Sequence, residues 1–407
     1  MSITAHRKPD LVVPALAVAR RAKRGTELVD LRALGIYPGI AGAAQGYNAF
    51  GDVLRATVDG TDLTVLFNEF SAALAQYNDA RDTLRAFLSF STAQPAEEVA
   101  RVGALANFED SSEFGEPVGA RLKPDVDKRG AGFRFRDLGT RMTWLFLSGA
   151  TGAQVQAVQN LVLEADHRQV FESIMGRLFR GNANGVNAEG FTIFGLYNAT
   201  DGEVPPDYAG NTFSNTHTHY LTTGSAVVDG GDLATMITHI AHHGYTDVPG
   251  TQLLIFTNKL EMDVVRGFRV ATGSPFDFIA SQAAPTYLTD QNIIGDIPPA
   301  TFGRIKIEGA FGSAWLSESA FIPAGYLLAV VSGGAGAQVN PVMFREHTRP
   351  ELRGLLNLPG SNRDYPLIDS FSVRGFGTGV RHRGAAVAMQ VTAAGAYTAP
   401  TLGIGMP

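Results

Sequence analysis

The spacing of apolar residues divides this chain into stretches of different period. From Asp62 onward, Leu63, Leu66, Phe67, Phe70, Leu74, Tyr77, Leu84, Phe87 and Leu88 recur at three- and four-residue intervals, the period of one helical face. Thr61 or Asp62 can cap the start of that helix, and Pro95 closes its region. A longer helical pattern runs from about Thr151 to Arg180, carried by Val155, Val158, Leu161, Val162, Ala165, Val170, Phe171, Ile174, Met175, Leu178 and Phe179. Thr151 and Gln154 have capping-box spacing. Arg177 and Arg180 sit at the negative end of the helix dipole, with Gly181 placed to stop it. Such a helix spans roughly 45 Å, more than a small domain's core requires, so it reads as a strut.

Period two takes over elsewhere. Phe133-Arg134-Phe135-Arg136 alternates, and Met142 to Leu147 is an apolar run; both predict strands. They belong to a charged stretch, residues 108–148, that reads as a two-stranded projection feeding the strut. After Gly181 come a turn cluster through Gly190, a strand Phe191–Phe194 and a Pro/Gly-rich loop. A helix from about Asp232 to His243 stopped by Gly244, a buried strand Gln252–Phe256 and a helix from about Leu260 to Phe268 look like a small α/β unit. Strands at Ile305/Ile307, Ala314–Leu316 and Tyr326–Val331 follow, and one long strand Val380–Val391 returns at the end. The fold class is α+β. The first sixty residues show no sustained period and read as an extended arm.

Composition narrows the function classes. With 45% hydrophobic and 18% charged residues the 407-residue chain is globular, and long enough for two or three subdomains. Without cysteine, disulfides, thiol nucleophiles and thiolate metal sites are excluded. A net charge of −6 argues against a general nucleic-acid binder, but the charge is uneven. Arg7, Lys8, Arg20, Arg21, Lys23 and Arg24 face only Asp10 in the first 24 residues, so Arg20, Arg21, Lys23 and Arg24 read either as a solvated tail or as an arm that lies over a neighbouring subunit or faces a polyanion. No apolar run reaches the ~18 residues of a membrane span. Residues 108–148 hold seven acids and seven Lys or Arg, segregated, with acids first and cations from Arg121 onward. Because an isolated two-stranded ribbon is marginal in water, this one makes sense lying on another chain. Arg121, Lys123, Asp125, Asp127, Lys128, Arg129, Arg134 and Arg136 are its candidate contact residues.

Histidine is the leading chemical candidate. His217 and His219 alternate on an extended stretch, and His239 and His243 are i,i+4 on a helix, a spacing that can hold a divalent ion. The Glu of a His-Glu-x-x-His motif is missing, so these are read as structural histidines, with no metal and no cofactor. Gly333-Gly334-Ala335-Gly336 and Gly375-Phe376-Gly377-Thr378-Gly379 lack the helix that a phosphate loop needs and read as bends. No Gly-x-Ser-x-Gly elbow occurs, and no catalytic residues are assigned.

Seven stretches, in order, carry a resemblance: Phe108-Glu109-Asp110-Ser111-Ser112-Glu113, Met142-Thr143-Trp144, Thr216-His217-Thr218-His219-Tyr220, His243-Gly244-Tyr245, Ile322-Pro323-Ala324-Gly325-Tyr326, Phe344-Arg345-Glu346-His347 and Gly377 to Ala386. Together they resemble the major capsid proteins of tailed bacteriophages, the Hong Kong 97-type fold, and in particular those of phages infecting actinobacteria. The resemblance implies an N-terminal arm with an added helix over 1–107, an extended E-loop over 108–148, a peripheral domain with its spine helix over 149–225, an axial domain over 226–361 and a return to the peripheral domain over 362–407. It implies a shell of homo-hexamers and homo-pentamers around double-stranded DNA. It also implies a separate scaffolding protein, a portal, in some cases a decoration protein, no membrane, and a place in the virion after assembly in the host bacterial cytoplasm. The N-terminus is expected to be uncleaved. Some members join a Lys to an Asn covalently; Lys123 and Lys128 lie in the matching element, with Asn357 or Asn362 as partners, but the reaction also needs a nearby carboxylate in a dry site, and no cross-link is expected. The rivals are an encapsulin-like compartment and a metallohydrolase using the histidines.

Overall fold

The computed structural model describes residues 56–79, 83–102, 113, 115, 124–181, 185–282, 297–359 and 368–402. The centre of these residues is a seven-stranded mixed sheet. In spatial order it runs Tyr220–Thr222, Ala386–Gln390, Tyr326–Ser332, Gln252–Thr257, Ala314–Glu318, Gly309–Phe311 and Phe278–Ala280. Successive side chains of a strand point to opposite faces, and both faces here are covered. Leu254, Phe256, Leu328, Val330, Ala386 and Ala388 join one core. Leu253, Ile255, Leu327, Ala329, Val331, Val387 and Met389 join the other. Double burial is why these strands read as unbroken apolar runs.

The helix Gly230–Ala241 packs on one face through Leu233, Met236 and Ile240, and Lys259–Val265 through Met262 and Val265. The other face receives the strut, Gly152–Phe179, capped by Thr151 in a complete capping box with Gln154. The strut changes character along its length. Val155, Gln159, Val162 and Asp166 form a single buried stripe, whereas from Val170 to Phe179 nearly every side chain is buried. One half is core, and the other emerges from it. The stripe is covered by the helix Leu63–Asp79 through Leu63 and Leu66, so that amphipathic helix docks on its own chain. Tyr77 donates to Asp166 at 2.8 Å, and Arg374 pairs with the same carboxylate at 2.6 Å, both partners of that ion pair being almost wholly buried.

A second sheet, of five strands, is built around the 13-residue strand Ile368–Val380. Arg134–Met142 pairs with it from Ile368 to Phe376, while Leu355–Pro359 and Val342–Glu346 pair with it in succession; Ser89–Thr92 extends the sheet in parallel with Val342–Arg345.

Several sequence expectations are corrected here. The first helical pattern contains two helices, Leu63–Asp79 and Thr83–Leu88; near the end of the first, Asn78 bonds the backbone of Leu355 through both amide atoms. The apolar run after Met142 is a helix, Trp144–Gly149, since Thr143 caps it by accepting from the Phe146 N–H. The final long strand is two strands broken at 381–385, where Arg383 is buried and donates to the carbonyls of Gly195 and Leu196 and to Asp201. The glycines 375, 377 and 379, read as bends, lie inside the long strand. Alternate positions share a face, and across that face runs the segment 130–135. A Cβ on Gly377 would collide with the Gly132 carbonyl, and one on Gly379 with the Gly130 carbonyl. The Gly132 N–H donates to the Thr378 carbonyl at 3.4 Å.

That crossing yields a test. Gly377→Ala drives a methyl into backbone that cannot swing aside, so a loss of about 3 kcal/mol, the upper range for overpacking, is expected in urea unfolding of the unassembled subunit. Gly139→Ala, whose Cβ meets only the Phe371 ring at 3.7 Å, is the control and should change stability by less than about 1 kcal/mol.

Candidate functional site

The two-stranded projection exists, with legs other than those expected. Ala96–Val102 pairs antiparallel with Pro124–Gly130, from Ala96 opposite Gly130 to Val102 opposite Pro124. At about 3.4 Å per residue, each described leg reaches ~24 Å. The strand Arg134–Met142, expected within the projection, belongs to the five-stranded sheet instead; of the acidic cluster Glu109, Asp110, Glu113 and Glu116, all but Glu113 lie outside the described residues.

The root of the ribbon is clamped. Asn187 donates to the carbonyls of Pro95 (2.8 Å) and Ala131 (3.1 Å), and the Ala131 N–H donates to Pro95 O at 3.0 Å. Arg345 donates to Ala131 O at 3.2 Å, holds Glu189 through both guanidinium ends at 3.1 and 2.5 Å, and lies over the Phe133 ring. These bonds from Arg345 hold the Glu189 carboxyl below the usual range. Away from the root the ribbon opens to solvent: Gly130 and Arg129 are buried, whereas Val126 and Lys128 are exposed.

The predicted contact residues are therefore divided. Arg121 and Lys123 lie outside the described residues, as do Arg20, Arg21, Lys23 and Arg24 of the arm and Asn362. Asp125 stands opposite Arg101 in the ribbon register. Arg129 serves its own chain, buried and donating to the Arg381 carbonyl, with Asp127 at 3.3 Å. Arg136 is half-buried over the Phe376 ring, and burial lowers its pKa. Lys128 pairs with Glu98 across the ribbon at 3.5 Å, both exposed, and Arg134 is exposed. Asn187 and the Glu189–Arg345 pair were not singled out from sequence as clamps; nothing in a lone Asn or Glu-Gly turn distinguishes one.

A second constellation lies at the edge of the seven-stranded sheet. His217 and His219 lead into its first strand, and His242 and His243 end the helix Gly230–Ala241, which Gly244 terminates with φ 77°. The Nε2 atoms of His217, His219 and His243 form a triangle with sides of 3.1, 3.0 and 2.9 Å. His242 contributes a fourth nitrogen; the donor atoms of all four lie within 4.8 Å of one another. His239, which sequence spacing had paired with His243, stacks on His217 at 5.4 Å. His219 is fully buried, and its Nδ1 is 2.7 Å from the Ala386 carbonyl. Burial, then the neighbouring imidazoles, lowers the pKa of His217 to about 4 and of His243 to about 3, and holds His219 well below its ordinary value. The four rings are neutral at pH 7, with lone pairs available to a metal.

Over 89% of its own length and 98% of the other, the chain is 37% identical to a chain in a solved structure of Mycobacterium phage Patience, with a TM-score of 0.68. Fainter likenesses are to the capsid of a native GTA particle (12% identity, 90% and 99% covered, TM-score 0.44) and to the holo-SrpI encapsulin complex from Synechococcus elongatus (11%, 92% and 100%, 0.40). No protein-family model and no curated protein matches the chain.

The depressed histidine pKa values make stability pH-dependent. In the unfolded chain these rings take up protons near their ordinary 6.5, while in the fold they resist until about 4 or 3. Stability is thus complete above about pH 6.5 and is lost as pH falls below it. Denaturation midpoints measured from pH 8 to 5 should be flat down to about 7 and then decline, with a shallower decline in a His217→Gln/His243→Gln double variant.

Proposed function

This chain belongs to the major capsid proteins of tailed bacteriophages, those of Hong Kong 97-type fold, and from that premise we infer that it is the shell subunit, assembling into hexamers and pentamers of an icosahedral capsid around double-stranded DNA. The observation that carries this reading is the likeness to the phage Patience chain along nearly its whole length. The ribbon supports it in physical terms. Its root is fixed by the side chains of Asn187 and Arg345 from two other segments and of its own Arg129, while Val126, Lys128 and Glu98 along it are exposed. A fixed root with exposed side chains along the ribbon suits a clasp laid on a neighbouring subunit. Exposed Lys128, Glu98 and Arg134 then set register through charge complementarity, and many such moderate contacts make the closed shell stable by multivalency.

In this reading the ribbon and its tip are the E-loop, the strut is the spine of the peripheral domain, and the seven-stranded sheet with its two flanking helices is the main body of the axial domain. The arm with its added helix is the part before the ribbon, so its boundary falls before Ala96 rather than at 107; after residue 362 the chain returns to the peripheral domain through Ile368–Val380, while Ala386–Gln390 belongs to the seven-stranded sheet. The shell acts by geometry, so no catalytic residue is assigned. Its further partners are a separate scaffolding protein, a portal, in some shells a decoration protein, and DNA bound without sequence specificity, with Arg20, Arg21, Lys23 and Arg24 facing it. Assembly takes place in the host bacterial cytoplasm and the product resides in the virion.

Electron microscopy of the purified full-length chain tests the function: shells or capsomers are expected, and a uniformly monomeric species would contradict it. The clasp has its own variant. Glu97 and Arg129 face each other in register, so residues 98–128 can be replaced by a two-residue Asn-Gly hairpin turn. The shortened subunit should stay folded, with a Tm within a few degrees of the parent, and form no closed shells; normal particles would refute the clasp.

A further inference from the structure

The histidine constellation poses a hydrogen-bonding problem that the shell function does not address. The Nδ1–H of His219 donates to the Ala386 carbonyl at 2.7 Å, so in the neutral ring its Nε2 carries only a lone pair. His217 and His243 each bring an Nε2 to 3.1 and 2.9 Å from that atom and 3.0 Å from each other. If both carry an N–H, their protons face one another. If only one does, the other meets His219 lone pair to lone pair. If neither does, all three contacts are repulsive. Every neutral arrangement leaves at least one repulsive contact inside hydrogen-bond distance. The Nε2 of His242 is buried and has no hydrogen-bond partner.

We propose that His217, His219 and His243, with His242 as the fourth donor, bind a divalent transition-metal ion of the zinc class. A cation turns the three opposed lone pairs into ligands, with a His242 nitrogen no more than 4.8 Å from them. The dimensions fit: nitrogens at these separations surround a point about 1.7 Å from each, and an ion about 1 Å off their plane meets all three at the ~2.0–2.1 Å of a zinc–imidazole bond. Neutral imidazole is a preferred ligand of zinc. The surroundings are those of a metal site. The His219 Nδ1–H bond to a backbone carbonyl fixes its tautomer and orientation. Phe213 stacks on His243 at 4.4 Å and His239 on His217 at 5.4 Å, walling the cluster. Two donors come from the C-terminus of the helix Gly230–Ala241, the negative end of its dipole.

The donor set is four imidazoles without a carboxylate, which points to a structural ion rather than a hydrolytic one. The ion ties three segments together: the extended stretch at 217–219, the end of the helix at 242–243, and, through His219, the strand that starts at Ala386. It pins the edge of the seven-stranded sheet to the helix that covers it.

The test uses the full-length chain, stripped with EDTA and dialysed, then titrated with Zn2+. One zinc per chain is expected by elemental analysis after removal of free metal, together with a rise in Tm of about 5–10 °C that EDTA reverses. His217→Ala, at a half-exposed ring, should abolish both the zinc and the Tm response, as should His243→Ala. Should either variant fail to fold, Co2+ in the unaltered chain decides, through the intense visible absorption of a tetrahedral nitrogen-ligated site. Less than about 0.1 zinc per chain with an unmoved Tm, or undiminished stoichiometric zinc in a folded His217→Ala variant, would overturn the site.

Discussion

The close crossing of residues 130–133 over the long strand is the constraint on which the projecting part of the molecule depends. Backbone meets backbone there: no side chain fits between Gly377 and the Gly132 carbonyl, or between Gly379 and the Gly130 carbonyl. The crossing sets where the ribbon leaves the body. Around it the polar groups are satisfied by side chains from distant parts of the sequence, Asn187 on Pro95 and Ala131, Arg345 on Ala131, and Arg129 on Arg381. A ribbon of two strands has little stability alone, so its direction must come from its root.

Behind the root, the strut connects the two sheets. Its C-terminal half is buried on nearly every side against the seven-stranded sheet, and its N-terminal half offers one stripe to the helix Leu63–Asp79. The Asp166–Arg374 pair sits near the transition, joining strut to long strand with both charges out of water. A buried pair is weak as a source of net stability, but removing one partner leaves an uncompensated charge at a cost of about 3–5 kcal/mol. The pair therefore enforces one alignment of helix and sheet more than it strengthens their contact. The same logic applies to Arg383 and Asp201, which hold the turn between the last two strands against the loop after Phe194.

Much of this was legible in the sequence, and for local reasons. The strut was readable to within a residue at each end because its cap, Thr151 with Gln154, and its stop at Gly181 are local signals. The inner strands Gln252–Thr257, Ala314–Glu318 and Tyr326–Ser332 were readable because burial leaves continuous apolar runs, whereas the short strands Gly309–Phe311 and Phe278–Ala280 were not. What escaped is decided by distant partners. The ribbon legs were misplaced because Ala96–Val102 has no alternating apolar face; it is a strand by virtue of its register with Pro124–Gly130. The glycines at 375, 377 and 379 looked like bends because the segment crossing them lies more than 240 positions away in the chain. Two histidine pairs were visible at suggestive spacings, but His242 was not among them, and only the fold brings His217, His219 and His243 to one point.

A single subunit thus holds the parts of a lattice: a stiff spine, a body closed on both faces of its sheet, and a ribbon whose root is fixed and along which Glu98, Val126 and Lys128 are exposed. The central claim is that this ribbon is an intersubunit clasp. The most direct measurement is a cryo-electron-microscopy reconstruction of assembled particles at side-chain detail. The account predicts that Ala96–Val102 and Pro124–Gly130 extend over an adjacent subunit, with Lys128 or Glu98 against charged groups of that neighbour. A ribbon folded back on its own subunit, or standing in solvent without a neighbour beneath it, would contradict the account.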